Sequence, residues 1–226
     1  MLKRFDLHVH TTASSDSLLS PEELIVACHE RGLAGVAVTD HNRLAGALAL
    51  ARTSQADLQI IVGEEVLTVQ GELLGLFLQE EIPGGLSAEE TARAIRAQGG
   101  LVGVPHPCDR WRKALQSWAL EVLQRASLLD FIEGRNARVL WARYNRQAEQ
   151  LGGRLGLPLT AGSDAHSPCE LGACTVLLPT FASPREFLAA LKQGRLEGSS
   201  STLTRILARI ERERARRSQR AEKTTP

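Results

Sequence analysis

The sequence predicts an α/β fold built on a parallel sheet, with a closed barrel as the form that suits its length. Three observations carry the prediction. Short apolar runs alternate with longer amphipathic segments. Helix-start signals fall between those runs. Clusters of histidine and carboxylate sit at run ends, the rim where barrel enzymes assemble catalytic groups from separate loops.

In chain order, the first strand is expected at 5–9. If the backbone stays extended one residue further, His8 and His10 face the same way and can grip one ion. Ser20-Pro21-Glu22-Glu23 puts a capping serine before a proline at the first helical position, with glutamate in the capping-box position, and Gly32 supplies the stop. Strands follow at 35–39, 60–66 and 73–78. Ser87-Ala88-Glu89-Glu90 opens another helix ahead of a strand at 101–105. Runs at 129–133, 158–160 and 173–178 complete the strands; Ser183-Pro184-Arg185-Glu186 then starts a helix that Gly194 ends.

At 226 residues and 43% hydrophobic content, the chain can bury one large core without splitting into two domains. A net charge of +1 gives no general argument for nucleic acid or membrane. The charge is uneven, however: residues 205–226 carry eight Arg or Lys against three Glu, and the rest of the chain is net −4. Residues 1–202 are therefore read as the barrel, and 203–226 as a separate basic segment. In that segment Leu203, Ile206, Leu207 and Ile210 follow a helical pattern that docks an apolar stripe and then frays. Lys3 and Arg4 lead straight into the first histidine motif, and no apolar stretch reaches membrane-spanning length, so a cytoplasmic protein is expected. Cys28, Cys108, Cys169 and Cys174 form no C-x-x-C pair and are expected as reduced thiols, with Cys108 and Cys169 at most minor ligands.

Five of the six histidines lie in polar bursts: Asp6-Leu7-His8-Val9-His10, Thr39-Asp40-His41, Pro105-His106-Pro107 and Ser163-Asp164-Ala165-His166. Neutral imidazole binds Zn, Mn or Fe, and shared carboxylates can bridge two cations and offset their repulsion, so the pattern reads as a polynuclear metal site. His29, alone inside the first helix, is expected to be an ordinary helix residue.

Together with Asp16 and the Gly63-x-Glu65 motif, these bursts resemble, in motif order from about residue 3 to residue 196, the PHP (polymerase and histidinol phosphatase) family. The resemblance implies a distorted seven-stranded β/α barrel with its site at the C-terminal strand ends. It implies two or three divalent ions (Mn, Zn or Fe). By motif position, His8, His10, Glu65 and Asp164 would hold one ion, Asp16, His41 and His166 a second, and Glu65 with His106 a third. Glu65 would bridge, with its neighbour Glu64 pointing the other way. Two positions depart from the pattern. Glu72 stands where many small members have histidine, so a third site would hold a carboxylate instead. Residues 130–138 contain no histidine where trinuclear relatives place one.

The implied activity is hydrolysis of phosphate esters by a metal-activated water, with Asp164, His166, Glu65 and His41 at the reacting centre. Arg110, Arg112, Arg135 and Arg138 are the expected phosphate-binding groups, with Arg43 a further candidate, because a guanidinium fork grips two oxygens at once. Asp6 and Asp40 are expected behind the ligands, accepting an imidazole N–H and fixing its tautomer. The expected substrate is a small phosphomonoester, such as a nucleotide or sugar phosphate, or a short oligonucleotide end; neither a membrane nor an obligate protein partner is expected. Two readings stand beside it. One is an amidohydrolase-like C–N hydrolase, whose usual bridging lysine has no counterpart at a strand end here; the other is a non-catalytic metal-binding accessory module.

Overall fold

The structure, a computed structural model, describes residues 1–53 and 57–199; the basic segment expected at 203–226 lies outside them. The elements run β1 (Lys3–Val9), α1 (Pro21–Glu30), β2 (Gly35–Val38), α2 (Ala45–Arg52), β3 (Gln59–Thr68), β4 (Gly71–Leu76), α3 (Ala88–Ala97), β5 (Leu101–Val104), α4 (Ser117–Arg125), β6 (Phe131–Asn136), α5 (Ala142–Leu155), β7 (Leu159–Gly162), β8 (Cys174–Leu178), α6 (Pro184–Leu191) and β9 (Arg195–Gly198). The capping serines perform as expected: Ser20, Ser87 and Ser183 each accept the backbone N–H three residues on.

One sheet in the order β7-β6-β5-β4-β3-β2-β1-β8-β9 curls into a nearly closed barrel. At the closing seam Asp164 N–H donates to His8 O at 2.8 Å and His10 N–H to Ala165 O at 2.9 Å. A Cβ at Gly162 would strike His8, so only glycine lets the end of β7 approach β1 this closely.

The sheet is not uniformly parallel, which corrects the sequence reading. β1, β2 and β3 run parallel, as do β5, β6 and β7, but β4 is antiparallel to both neighbours. The reason is local. Thr68 pairs with Gly71 across a two-residue turn, where Gly71 has φ +128, and so short a connection can only join antiparallel strands. β8 is likewise antiparallel to β1, and β9 to β8. β9 was not expected, because Arg-Leu-Glu-Gly carries no β-branched residue.

Ala37 joins the core cluster of Phe5, Leu7, Ile61, Leu74, Leu76, Phe131 and Ala161, whereas Val36 and Val38 pack with Leu24, Cys28 and Leu50 of α1 and α2. This is the period-two alternation of a strand between two packed layers. No helix among the described residues is long and apolar enough to cross a membrane.

Candidate metal centre

Strand ends on one rim bring the polar bursts together. His10 follows β1 directly, His41 lies three residues past β2, and His106 and Asp164 lie two past β5 and β7. Glu65 is instead inside β3, which outruns its parallel partner to form the hairpin with β4, and it bridges to His41. The turns are tight: Asn42, His106 and Asp164 have positive φ, a conformation that non-glycine residues adopt where surrounding structure enforces it.

Glu65 is at the middle of the cluster and fully buried. Its Oε2 lies 3.0 Å from His41 Nδ1, 3.3 Å from His10 Nε2 and 3.4 Å from His8 Nε2, and its Oε1 lies 2.9 Å from His106 Nε2. Asp164 Oδ1 is 3.4 Å from His10 Nε2. Despite these distances, Glu65 Oε2 and Asp164 Oδ1 accept no well-oriented hydrogen bond. Asp16, half-exposed at the mouth, faces His166 Nε2 at 3.2 Å and His41 Nε2 at 3.8 Å.

The ring protons decide what this arrangement can hold. His8 Nδ1 is 2.9 Å from Glu133 Oε1, a pure acceptor, so the neutral ring carries its proton there. His10 Nδ1 is 3.3 Å from Ser14 Oγ, whose own proton goes to Asp40 at 2.7 Å, so His10 is also protonated at Nδ1. The Nε2 lone pairs of both rings therefore meet 3.0 Å apart beside two carboxylate oxygens lacking partners. Such a donor set fits a divalent cation of the Zn, Mn or Fe kind. Three groups have ligand atoms close enough to hold an ion: His8, His10 and Glu65; His10, His41 and His166; and His41, Glu65 and Glu72.

The titration behaviour expresses the same demand for positive charge. Burial opposes a proton on His8, but Glu133, Asp164 and Glu65 outweigh it and hold the pKa well above the ordinary value. Burial and His166 push His10 the opposite way. Burial also disfavours charge on Glu65 and Asp164, yet His8 and the His106 hydrogen bond keep Glu65, and Arg112 and His8 keep Asp164, well below the usual carboxylate range. Glu72 is raised by burial and then by Glu65; it lies within β4, lines the cleft, and comes within 3.7 Å of His106 Nε2. A solvated surface glutamate is thus excluded for this position, since it is 5% exposed.

Glu64 does point away from Glu65, accepting Ile82 N–H at 2.9 Å while its Oε1 has no partner. Burial raises its pKa from 4.5 to about 7. The folded protein therefore keeps a proton that the unfolded chain releases, and stability falls as pH rises from 4.5 to about 7. In chelator-treated protein, Glu64→Gln should remove this fall, gaining about 1–2 kcal/mol over wild type above pH 7 and little below pH 4.5. Thermal melts across that range check it.

The residues behind the ligands differ from those expected. Asp6 touches no imidazole: it accepts Ser163 N–H and O–H and Gly172 N–H, tying β1 to the segment after β7, and burial lifts its pKa to about 6 despite these bonds. Asp40 acts one step removed, through Ser14, and also accepts Thr11 N–H and O–H. The direct partner of an imidazole is Glu133. Its Oε1 takes His8 Nδ1–H, and its Oε2 takes His106 N–H at 2.7 Å and Asn136 Nδ2–H at 3.1 Å; Asn136 also donates to Asp164 Oδ2 at 3.0 Å. A register irregularity between Glu133 and Arg135 lets Glu133 and Asn136, three apart, serve the same side. Glu170 accepts His166 N–H at 2.9 Å.

The four expected phosphate-binding arginines separate. Arg112 and Arg138 line a cleft of about 490 Å³ with Asp16, His41, Glu72 and His166. Arg112 Nη2 donates to Asp164 Oδ2 at 2.6 Å, and Arg138 reaches His166 Nδ1. That nitrogen also lies 2.9 Å from Asp164 O and cannot accept from Arg138 while donating there. Arg135 lies elsewhere: the same irregularity turns it outward to Glu149 and to the carbonyls of Leu196 and Gly198. Arg110 is exposed outside the cleft wall, and Arg43 pairs with Glu81. His29 sits partly exposed beside Asp57, and no cysteine joins the three ligand groups.

A family model described as PHP domain matches residues 6–153, and one described as PHP-associated matches residues 142–196. The chain is 33% identical over 198 residues to an uncharacterized protein of Methanocaldococcus jannaschii, covering 84% of this chain and 79% of that one. It is 38% identical over 122 residues to a 5'-3' exoribonuclease of Haemophilus influenzae, covering 48% of this chain and 44% of that one. A crystal structure from Bacteroides vulgatus, a two-domain protein containing a predicted PHP-like metal-dependent phosphoesterase, matches with a TM-score of 0.75 at 16% identity. That match covers 88% of this chain and 65% of that one, a likeness of fold.

Proposed function

The chain belongs to the PHP domain family, and from that membership we propose that it is a metal-dependent phosphoesterase acting on a small phosphomonoester or a short oligonucleotide end. The observation that carries the proposal is that the Nε2 atoms of His8 and His10 converge 3.0 Å apart beside Glu65 Oε2 and Asp164 Oδ1, two buried carboxylate oxygens without a hydrogen-bond partner. Cations bound there supply Lewis acidity, making water a nucleophile near neutral pH and offsetting phosphoryl charge.

In this reading His8, His10, Glu65 and Asp164 hold one cation and Asp16, His41 and His166 a second. Glu65, His106 and Glu72 form a third, carboxylate-rich position. Asp16 stays ionised, because the His166 hydrogen bond above all holds its pKa well below the ordinary range. With His166 protonated at Nδ1 and donating a hydrogen bond to Asp164 O, that nitrogen cannot accept from Arg138, which leaves the guanidinium free to turn to substrate. Arg112 and Arg138 then orient phosphoryl oxygens from the cleft wall. Arg112 also keeps Asp164 charged, so removing it weakens two functions at once.

The similarity to an exoribonuclease supports including oligonucleotide ends among the substrates. A C–N hydrolase reading is less supported, because Lys113, the lysine on the cleft wall, is exposed on a loop and not at a strand end.

The test is to purify without chelator, quantify metals, and assay an aryl phosphate, an aryl phosphodiester, mononucleotides and short oligonucleotides with added Mn or Zn. Chelator-sensitive hydrolysis of at least one is expected. Metal-loaded protein that cleaves none of them contradicts the proposal.

A further inference from the structure

All three tryptophans of the chain are substantially exposed: Trp111 at 75%, Trp118 at 55% and Trp141 at 52%. Large aromatic rings are normally mostly buried, so their gathering on one side requires a reason. Trp111 and Trp118 belong to the β5–α4 connection and the start of α4, and Trp141 to the β6–α5 connection, which is adjacent because β5 pairs with β6.

Two further cavities are lined by residues within two positions of these rings in sequence, Arg110 and Ser117 for one and Arg110 and Arg143 for the other. One, of about 430 Å³, is lined by residues of the β5–α4 connection and α5, including Arg110 and Gln147. The other, of about 280 Å³, is lined by Arg110 and Gln147 again, with Arg143 and Tyr144. Arg110 is thus common to both, and its neighbour Trp111 lines the metal-centre cleft. Segment 110–113 therefore forms the wall between that cleft and a groove leading away from it. At the far end the Arg143 guanidinium lies 5.7 Å from the Trp141 ring centroid and 5.1 Å from that of Tyr144. Asp109, the carboxylate among the residues lining the two cavities, is buried and occupied in accepting Trp111 N–H.

We propose that this groove binds a single-stranded oligonucleotide: Trp111 stacks the base beside the scissile phosphate, and Arg110, Arg143 and Trp141 hold the following nucleotides. The proposal rests on the phosphoesterase reading for its direction, since the strand must present one phosphate to the cleft. Flat rings neighbouring the guanidinium groups that line these cavities, Trp111 next to Arg110 and Trp141 against Arg143, match a polymer of bases and phosphates, whose bases all offer a π-face. A sugar would also stack, but it has no repeating negative charge to meet Arg110, Arg143 and the cleft's Arg112 and Lys113.

The test measures equilibrium binding in chelator, away from catalysis. A 5′-phosphorylated RNA hexamer should bind the wild-type chain at least about tenfold tighter than AMP, and its affinity should fall with salt at a logarithmic slope near about −2, as for three phosphate contacts. Trp141→Ala, and separately Arg110→Ala, should weaken hexamer binding about fivefold or more while changing AMP binding less than about twofold. Equal affinity for hexamer and AMP, salt-insensitive binding, or variants without effect would overturn the proposal. So would self-association in sedimentation velocity that Trp141→Ala abolishes, because the rings would then serve a dimer interface. Hexamer binding by a protein that hydrolyses no ester would sink the proposed function and leave the groove standing; hydrolysis without hexamer preference would do the reverse.

Discussion

Glu65→Gln should lower kcat/KM for any phosphoester the protein hydrolyses by about 10³-fold or more, roughly 4 kcal/mol of transition-state stabilisation. It should also release at least one equivalent of bound metal. The substitution keeps size and shape, so circular dichroism should not change. What it removes is the charge that four histidines face: His8, His10, His41 and His106 all come within 3.4 Å of this carboxylate. An amide has one acceptor oxygen, and its N–H₂ would point at an imidazole lone pair on one side or the other. Wild-type metal content with wild-type turnover would show that Glu65 links nothing.

Glu133→Gln should produce the second large effect, a fall of about 10- to 100-fold in metal affinity measured by competition with a chromophoric chelator. Glu133 can reach no cation through His8 except by setting that ring's tautomer. A glutamine N–H₂ facing Nδ1 favours the opposite tautomer, placing the proton on the Nε2 that faces His10 and Glu65. The other Glu133 oxygen fixes the His106 backbone and Asn136, so the loss should spread to ligands on β1, β5 and β7. Glu133→Asp keeps the charge but shortens the reach, and should recover part of the affinity. A purely structural role predicts a lower melting temperature with unchanged affinity in the protein that remains folded.

These two residues mark where sequence could and could not be read. The place of Glu65 in the cluster was legible because Gly63-x-Glu65 falls near the end of the 60–66 run and belongs to a motif set with His8, His10, His41 and Asp164. The capping serines and the strand alternation were legible because their causes are local. Glu133 was not: the run at 129–133 ended on it, and a lone carboxylate at a strand end ordinarily faces water. In fact β6 continues to Asn136 and Glu133 is 1% exposed. A signal was present, since Glu133 stands between apolar Phe131-Ile132 and Gly134 rather than among other charges. Arg135 misled for the related reason that the irregularity reversing its side cannot be counted from residue spacing. The reversed β4 had a visible cause in its two-residue turn, but a repeated strand-helix rhythm hid it. Asp6 and Asp40 stand next to histidines in sequence, but packing gives their carboxylates hydroxyl and backbone partners in place of imidazole.

The central claim is that Glu65 joins neighbouring cations at one rim. Electron paramagnetic resonance of chelator-stripped protein titrated with Mn(II) tests it most directly, because exchange coupling requires ions about 3.5–4 Å apart. The account predicts a coupled multiline spectrum that grows with the second equivalent and is lost in Glu65→Gln. Only the spectrum of isolated Mn(II), at every ratio, would contradict it.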